Sequence, residues 1–349
     1  MNIGIDGGPL SDGSATRGIG VYTKHLVKAL KNIRSKGIQF EVIDANNEKN
    51  LHRFDLIHYP SFDFFFPTLP LRSPVPFVVT VHDAIPLIYP EHYPAGVRGK
   101  LTFLRQRHVL QNAKAVITDS ETSKKDIIRH LGIDPSKIFP VYLGPTVDPI
   151  DKRVQQAKVL RDHSISFPYV LYIGDVNWNK NLVNLCDACE QAKIHLVIVG
   201  KKAVSTEYDK THIENRPLFE LQTRFGDSKH IHRVGFISDN ELPILIANSQ
   251  ALIQPSHYEG FGLSVLDAMT LGVPTICGKT QALTEIYGDA SVFFDTNDVR
   301  DIKFCIETVL KDKRLQKKLG EQGEKLSKKF NWETTAHNTI SVYKKVLLK

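Results

Sequence analysis

Residues 251–277 read ALIQPSHYEGFGLSVLDAMTLGVPTIC and contain one strand–helix–strand unit. The run ALIQP is short, apolar and closed by proline, which predicts a buried strand. LSVLDAMTL, 263–271, carries apolar residues at helical spacing, and Gly272 supplies the residue type that ends such a helix. PTIC then opens a second strand. Strands joined through one crossover helix run parallel, so this segment puts the chain in the α/β class.

The same alternation fills the rest of the sequence. NIGID, IQFEVI, DLIHY, FVVTVH, AVITD and IFPVY form one set of apolar runs, and YVLYIG, IHLVIVG, HIHRVG, ALIQP, PTIC and SVFF form a second. Each set predicts a doubly wound, Rossmann-like domain. A chain of 349 residues exceeds what one core usually reaches, which agrees with two domains. The charged stretch 148–167 separates the sets and predicts a first domain over 1–160 and a second over 161–330. The closing segment 331–349 reads as an amphipathic helix in which Trp332, Ile340, Val342, Tyr343 and Leu347 are available to pack on either domain. The domains are expected to face each other across a cleft, with ligands beyond the carboxyl ends of the strands.

Composition narrows the class. Hydrophobic residues at 42% and charged residues at 24% describe a globular chain rather than a disordered one. No apolar run is long enough to span a bilayer, and MNIGIDGG lacks an export leader, so a cytoplasmic location is expected. Cys186 and Cys189 are formally C-x-x-C, but without a second ligand pair they read as a packing pair on a helix. A net charge of +7 points to an anionic partner without naming it.

The strand-end loops carry the chemistry. Between ALIQP and its helix lie Glu259, Gly260, Phe261 and Gly262, with Leu263, Ser264 and Asp267 in the first turns after them. Glycines let backbone approach a ligand closely, and a helix start offers free N–H groups to an anion. A carboxylate on each side of that anion accepts hydrogen bonds from hydroxyls, so the pattern fits a diphosphate with a sugar at one end and a ribose at the other. The spacing alone also fits a helix-dipole complement plus a solvated acid. YIGDVNWNKNL places Lys180 at another strand-to-helix junction, where a point charge can meet phosphate oxygens. FVVTVH ends in His82, and Arg17-Gly18-Ile19-Gly20 precedes the first long helix, where Gly18 and Gly20 can admit a phosphate. That glycine pair is no dinucleotide fingerprint, because Thr23 stands where the third glycine belongs.

Taken together, RGIGVYTKHLVKAL, VTVHDAIPLIYPE, TDSETSKKDI, YIGDVNWNKNL and PSHYEGFGLSVLDAMTLGVPTI resemble the family 4 retaining glycosyltransferases of the GT-B fold, mannosyltransferase-like members above all. The resemblance covers essentially the whole chain. It implies that Glu259 contacts donor-sugar hydroxyls, that backbone from Phe261 to Ser264 holds sugar and phosphate, and that Asp267 binds ribose. It further implies Lys180 on the diphosphate, His82 near the transferred sugar, the loop His232 to Ile237 beside the base, and the final helix returning to the N-terminal domain. The chain departs from the family in carrying Asp267 for the second glutamate, and Asp175 and Asn179 where relatives place an arginine; Lys201 or Lys202 is the expected substitute charge.

The function so implied is transfer of a sugar, mannose from GDP-mannose first, to a glycan or lipid-linked acceptor hydroxyl with retention, without metal or cofactor. The other class is a catalytically weak nucleotide-sugar-binding or scaffolding protein. Nucleic acid is not an expected partner. The stretch GVRGKLTFLRQRH, 96–108, holds four basic residues and no acid among Leu101, Phe103 and Leu104, and fits either an anionic membrane at the inner face or a solvated helix face.

Overall fold

Each apolar run becomes a strand in the computed structural model, which describes residues 1–349 except 12, 14, 16, 34–36, 46, 49, 149, 151–154 and 349. The first unit comprises Met1–Gly144 with Phe330–Lys349. Its strands are β1 (Asn2–Asp6), β2 (Gln39–Ile43), β3 (Leu56–Tyr59), β4 (Phe77–Thr80), β5 (Ala115–Thr118) and β6 (Ile138–Pro140), in the parallel order β2-β1-β3-β4-β5-β6. β3, β4 and β5 are buried at every position and are mainly apolar, as strands covered on both faces are, with His58, Thr80 and Thr118 as the buried polar exceptions. The edge strand β2 alternates exposed and half-buried residues instead.

The second unit, Pro145–Lys329, holds β7 (Val170–Ile173), β8 (Leu196–Val199), β9 (Ile231–Gly235), β10 (Leu252–Gln254), β11 (Thr275–Gly278) and β12 (Ser291–Phe294). Their order is β12-β11-β10-β7-β8-β9, again all parallel. Chain order reverses between β7 and β10, the place at the carboxyl end of such a sheet where ligands bind. Helices cover both faces; Cys186 and Cys189 pack into the core under the helix Leu182–Ala192, where burial pushes both thiols up.

The boundary falls at Gly144 rather than at 160, because the described part of 148–167 packs with the second unit. Helix Gln156–Asp162 lies against helix Leu242–Ala247, and Thr146 and Val147 bond to Asp267. Residues 149 and 151–154 of that stretch lie outside the described residues.

The C-terminal helix Trp332–Leu347 belongs to the first unit and packs on helix Gly18–Asn32. Asn331 caps it, accepting from the Thr334 N–H at 2.7 Å. Its buried face is Thr335, Ala336, Thr339, Ile340, Val342 and Tyr343, while Leu347 is only half-buried. Small residues let the two helices approach closely, which a pattern search for large apolar side chains passes over. Tyr343 Oη meets His58 Nδ1 at 2.7 Å, His58 Nε2 meets Thr80 Oγ1 at 2.8 Å, and Thr80 Oγ1 meets Tyr22 Oη at 3.0 Å. This buried chain of hydrogen bonds fastens the last helix to β3 and β4. The His58 pKa is pushed down to about 3, burial being the main cause.

Candidate functional site

In the second unit, the loops after β7 and β10 are sewn together by backbone and asparagine side chains. The His257 N–H donates to the Asn179 carbonyl at 2.8 Å. Asn179 Nδ2 reaches the Tyr258 carbonyl at 3.3 Å. Asn181, in a left-handed conformation with φ 53°, donates to the carbonyls of Pro255 at 3.0 Å and Thr296 at 2.7 Å. The Trp178 and His257 rings stack with centroids 4.9 Å apart. These links bring Lys180 to the acid: its Nζ lies 2.7 Å from Glu259 Oε1, with the lysine side chain 23% and the glutamate side chain 9% exposed.

Two further donors converge on the same oxygen. Gln254 Nε2 donates to Glu259 Oε1 at 2.7 Å and Ser256 Oγ at 2.6 Å. Gln254 is also tied to the helix start, accepting from Ser264 Oγ at 2.8 Å. The last residue of β10 therefore links the acid to the first turn of helix Leu263–Thr270. Sequence reasoning passed over Gln254 and Ser256; the available signal was their place at the end of the strand flanking the reversal. Gly262 turns the chain into that helix with φ 89°, and a Cβ there would sit 2.6 Å from Leu283 Cδ2. Its carbonyl accepts from Tyr287 Oη at 2.8 Å. Gly260 and Phe261 are buried in the turn, and Leu263 and Ser264 stand half-buried at the helix N-terminus.

Asp267 is bonded within the second unit. It is 3% exposed, and its carboxylate accepts from Thr146 N at 2.6 Å, Thr146 Oγ1 at 2.5 Å and Val147 N at 3.3 Å. A residue one turn inside a buried helix faces the packing layer, and here the acid holds the start of the second unit. Burial pushes its carboxyl pKa up to about 6, against the lowering effect of those hydrogen bonds. The folded state thus retains a proton that the unfolded chain loses above about pH 4, so stability falls as pH rises through that window and the cost is complete above it. Asp267→Asn keeps an acceptor for the backbone N–H groups and removes the charge. The variant is expected to gain ~2 kcal/mol over the native protein at pH 7 and to converge with it at pH ~4; a melting-temperature difference independent of pH would contradict this.

The positions lacking the family arginine also have a physical account at one residue. Asn179 is 4% exposed and bridges the two loops, a place with no room for a solvated guanidinium. Lys202 Nζ comes 3.5 Å from Asn177 Oδ1 in the loop that leads to Lys180, so of the two candidate lysines it is the one directed there. His232 is misplaced by the sequence expectation. As the second residue of β9 it emerges at the amino end of the sheet, with its Nε2 2.9 Å from His195 Nδ1 and its ring 4.3 Å from Phe167. Only Phe236 and Ile237 of that segment follow the carboxyl end of β9.

The first unit gathers the remaining predicted residues. His82 follows β4 and is gripped from both neighbouring strands: Nδ1 lies 2.8 Å from Asp119 Oδ2 and Nε2 3.2 Å from the Pro60 carbonyl. Both partners only accept, so a ring that donates to both must carry a proton on each nitrogen. Burial opposes that charge, but the Asp119 carboxylate, Asp83 and the Pro60 carbonyl together outweigh it and hold the His82 pKa above its ordinary value. Asp119 itself is 4% exposed, and its Oδ1 has no partner among the described residues. Tyr22 presents its ring edge to His82 at 4.7 Å, which sets His82 near the start of helix Gly18–Asn32. Gly18 and Gly20 lie inside its first turn rather than before it, and a Cβ on Gly18 would meet nothing within 4 Å.

Comparison with known proteins bears on the family and the fold. Residues 158–326 match the family described as Glycosyl transferases group 1, and residues 45–148 match Glycosyltransferase Family 4. The chain is similar to the O-antigen chain mannosyltransferase B of Escherichia coli, 29% identical over 277 residues covering 76% of this chain and 70% of that one. Among solved structures it resembles the sucrose-phosphate synthase of Thermosynechococcus elongatus, at TM-score 0.77 and 18% identity over 100% of this chain and 99% of that one. It also resembles Anabaena Alr3699/HepE, crystallised with UDP and glucose, at TM-score 0.73 and 16% identity over 99% of this chain and 100% of the other.

Proposed function

Because the chain belongs to the family 4 glycosyltransferases and has the GT-B fold, we propose that it moves mannose from GDP-mannose to a hydroxyl of a glycan or lipid-linked acceptor, with retention at the anomeric carbon and without a metal. The observation that carries this reading is the meeting of Lys180 and Glu259 at the strand-order reversal of the second unit, beside a glycine turn that opens a helix. There the N–H groups of the first helical turn and the Lys180 ammonium take up the charge of the departing diphosphate. Among the described residues Glu259 Oε1 carries all three bonds, so Oε2 is the oxygen left to accept from a sugar hydroxyl.

In the transfer step the bond from the anomeric carbon to the diphosphate oxygen breaks, a bond to the acceptor oxygen forms on the same face, and the leaving phosphate takes the acceptor proton. No side chain acts as nucleophile. His82, with both ring nitrogens engaged by Asp119 and the Pro60 carbonyl, stands near the transferred sugar as a positioned neighbour rather than as a base, and Gly18, open at its Cβ position, is the glycine that leaves space for phosphate. The similarity to a mannosyltransferase supports mannose as the first donor sugar.

A panel of nucleotide sugars assayed for hydrolysis and for transfer to membrane-derived acceptors tests this. Turnover is expected with GDP-mannose above UDP-hexoses and deoxysugar nucleotides. Inertness of every donor while each still binds would overturn the catalytic reading in favour of a nucleotide-sugar-binding scaffold.

A further inference from the structure

We propose that helix Gly96–Gln111, together with the loop 64–72 beside it, is a docking surface for an anionic lipid bilayer. Val97, Leu101 and Leu104 are 78%, 64% and 61% exposed, and their spacing sets them in one stripe along the helix. The stripe is not the core-facing side, which is made by Gly99, Gln106, Val109 and Leu110. Exposed Arg98 and Arg105 flank the stripe on one side by helical position and exposed Lys100 on the other, with no acid anywhere in the helix. Basic side chains so placed reach lipid phosphates while their stems and the central leucines enter the acyl boundary.

The adjoining loop extends the surface. Gln106 accepts from the Leu69 N–H at 2.8 Å and the Thr68 N–H at 3.0 Å, and the Phe64 and Phe103 rings lie 6.4 Å apart. A Cβ on Gly99 would sit 3.4 Å from that of Phe65. The loop therefore runs along the helix, and it sends Phe64 and Leu69 inward while leaving Phe66 69% and Leu71 60% exposed. Exposed Arg72 follows. Five of the twelve large apolar side chains that are exposed among the described residues thus fall in this one region, a concentration that marks an interaction surface.

Charge identifies the occupant. A second copy of the same face would set arginines and lysines against one another across a self-complementary contact. Nucleic acid would match the charge but leaves valine and three leucines without a role, since bases call for planar stacking partners. An anionic bilayer satisfies both the basic flanks and the apolar stripe. The surface rests on the glycosyltransferase reading only for its use, which is to bring the enzyme to a lipid-linked acceptor.

Sedimentation of the full chain with vesicles of phosphatidylcholine alone, and of phosphatidylcholine with about a third phosphatidylglycerol, tests the surface. Binding to the anionic vesicles is expected to exceed neutral binding at least about tenfold and to fade as salt rises from ~0.05 to ~0.3 M. The double variant Leu101→Asn, Leu104→Asn should lose about tenfold of that binding by withdrawing the apolar stripe, while its melting temperature and its hydrolysis of soluble donor stay as they are. Equal binding to neutral vesicles, no anionic binding at low salt, or unchanged binding by the double variant would each overturn the proposal. So would a dimer that these substitutions dissociate. Vesicle binding with every donor inert would leave the surface standing and remove the catalytic reading, and the reverse pattern would do the opposite.

Discussion

Glu259→Gln is expected to lower turnover by roughly 10²–10³-fold while leaving the protein folded. The substitution is nearly isosteric. The amide that replaces the carboxylate still offers one carbonyl oxygen to Gln254, Ser256 and Lys180, the three donors that fix the native acid at 2.6–2.7 Å. What changes is the other end of the group: an oxygen that accepts from a sugar hydroxyl becomes an amide nitrogen that donates, and the charge facing the developing oxocarbenium ion is gone. Loss of one preorganised partner of this kind costs ~3–4 kcal/mol in the transition state. The lost hydroxyl contact weakens donor binding as well, but the lost charge acts only as the oxocarbenium ion develops, so kcat falls more than KM rises. Single-turnover rates with saturating donor, paired with a thermal melt, check this; turnover within about threefold of native in a folded variant refutes the role.

Lys180→Ala strikes the same site from the other side and is expected to reduce kcat/KM by roughly 10²–10³-fold, with both constants affected. The ammonium is needed to hold the diphosphate in the ground state and more so as charge builds on it. Removing it also leaves Glu259, 9% exposed, without its counter-charge. Breaking a fully buried pair costs about 3–5 kcal/mol. The lysine side chain is 23% exposed, so solvent screens the loss and a stability cost of ~1–2 kcal/mol is expected. Lys180→Arg should recover only part of the activity, since a planar guanidinium does not fit the space of a point charge held against the carboxylate. Steady-state kinetics on the three proteins separates the effects: full recovery by arginine, or a loss in KM alone, contradicts an assignment to the leaving group.

The strands were legible because buried parallel strands are predominantly apolar runs, and a run such as LVIV is hard to mistake. The pairing of Lys180 with Glu259 was legible only as a suspicion, since the residues lie 79 positions apart and nothing local declares that β7 and β10 are neighbours. Sheet order supplies that fact. Asp267 gains a partner that no local signal announces: its carboxylate accepts from Thr146, a residue 121 positions away. Asp119 escaped attention for a related reason. It lies in TDSETSKKDI at the end of β5, where strand-end position marks it, yet its role becomes visible only through His82 on the adjacent strand. His232 lies inside the strand run HIHRVG, near its start, so only Phe236 and Ile237 of the segment 232–237 reach the carboxyl end where the resemblance places the base. The final helix was read through its large residues, whereas threonine and alanine form much of its contact.

The most direct measurement compares the rise in melting temperature given by the nucleoside diphosphate that stabilises the native protein most with the rise given by its own monophosphate, in the native protein and in Lys180→Ala. Ligand binding raises stability in proportion to the logarithm of affinity, so the comparison isolates the second phosphate. The expected result is a clear increment for the diphosphate in the native protein and its disappearance in Lys180→Ala. Equal shifts for both nucleotides in the native protein, or an increment that survives the loss of the lysine, would contradict the seating of a diphosphate between Lys180 and the glycine turn.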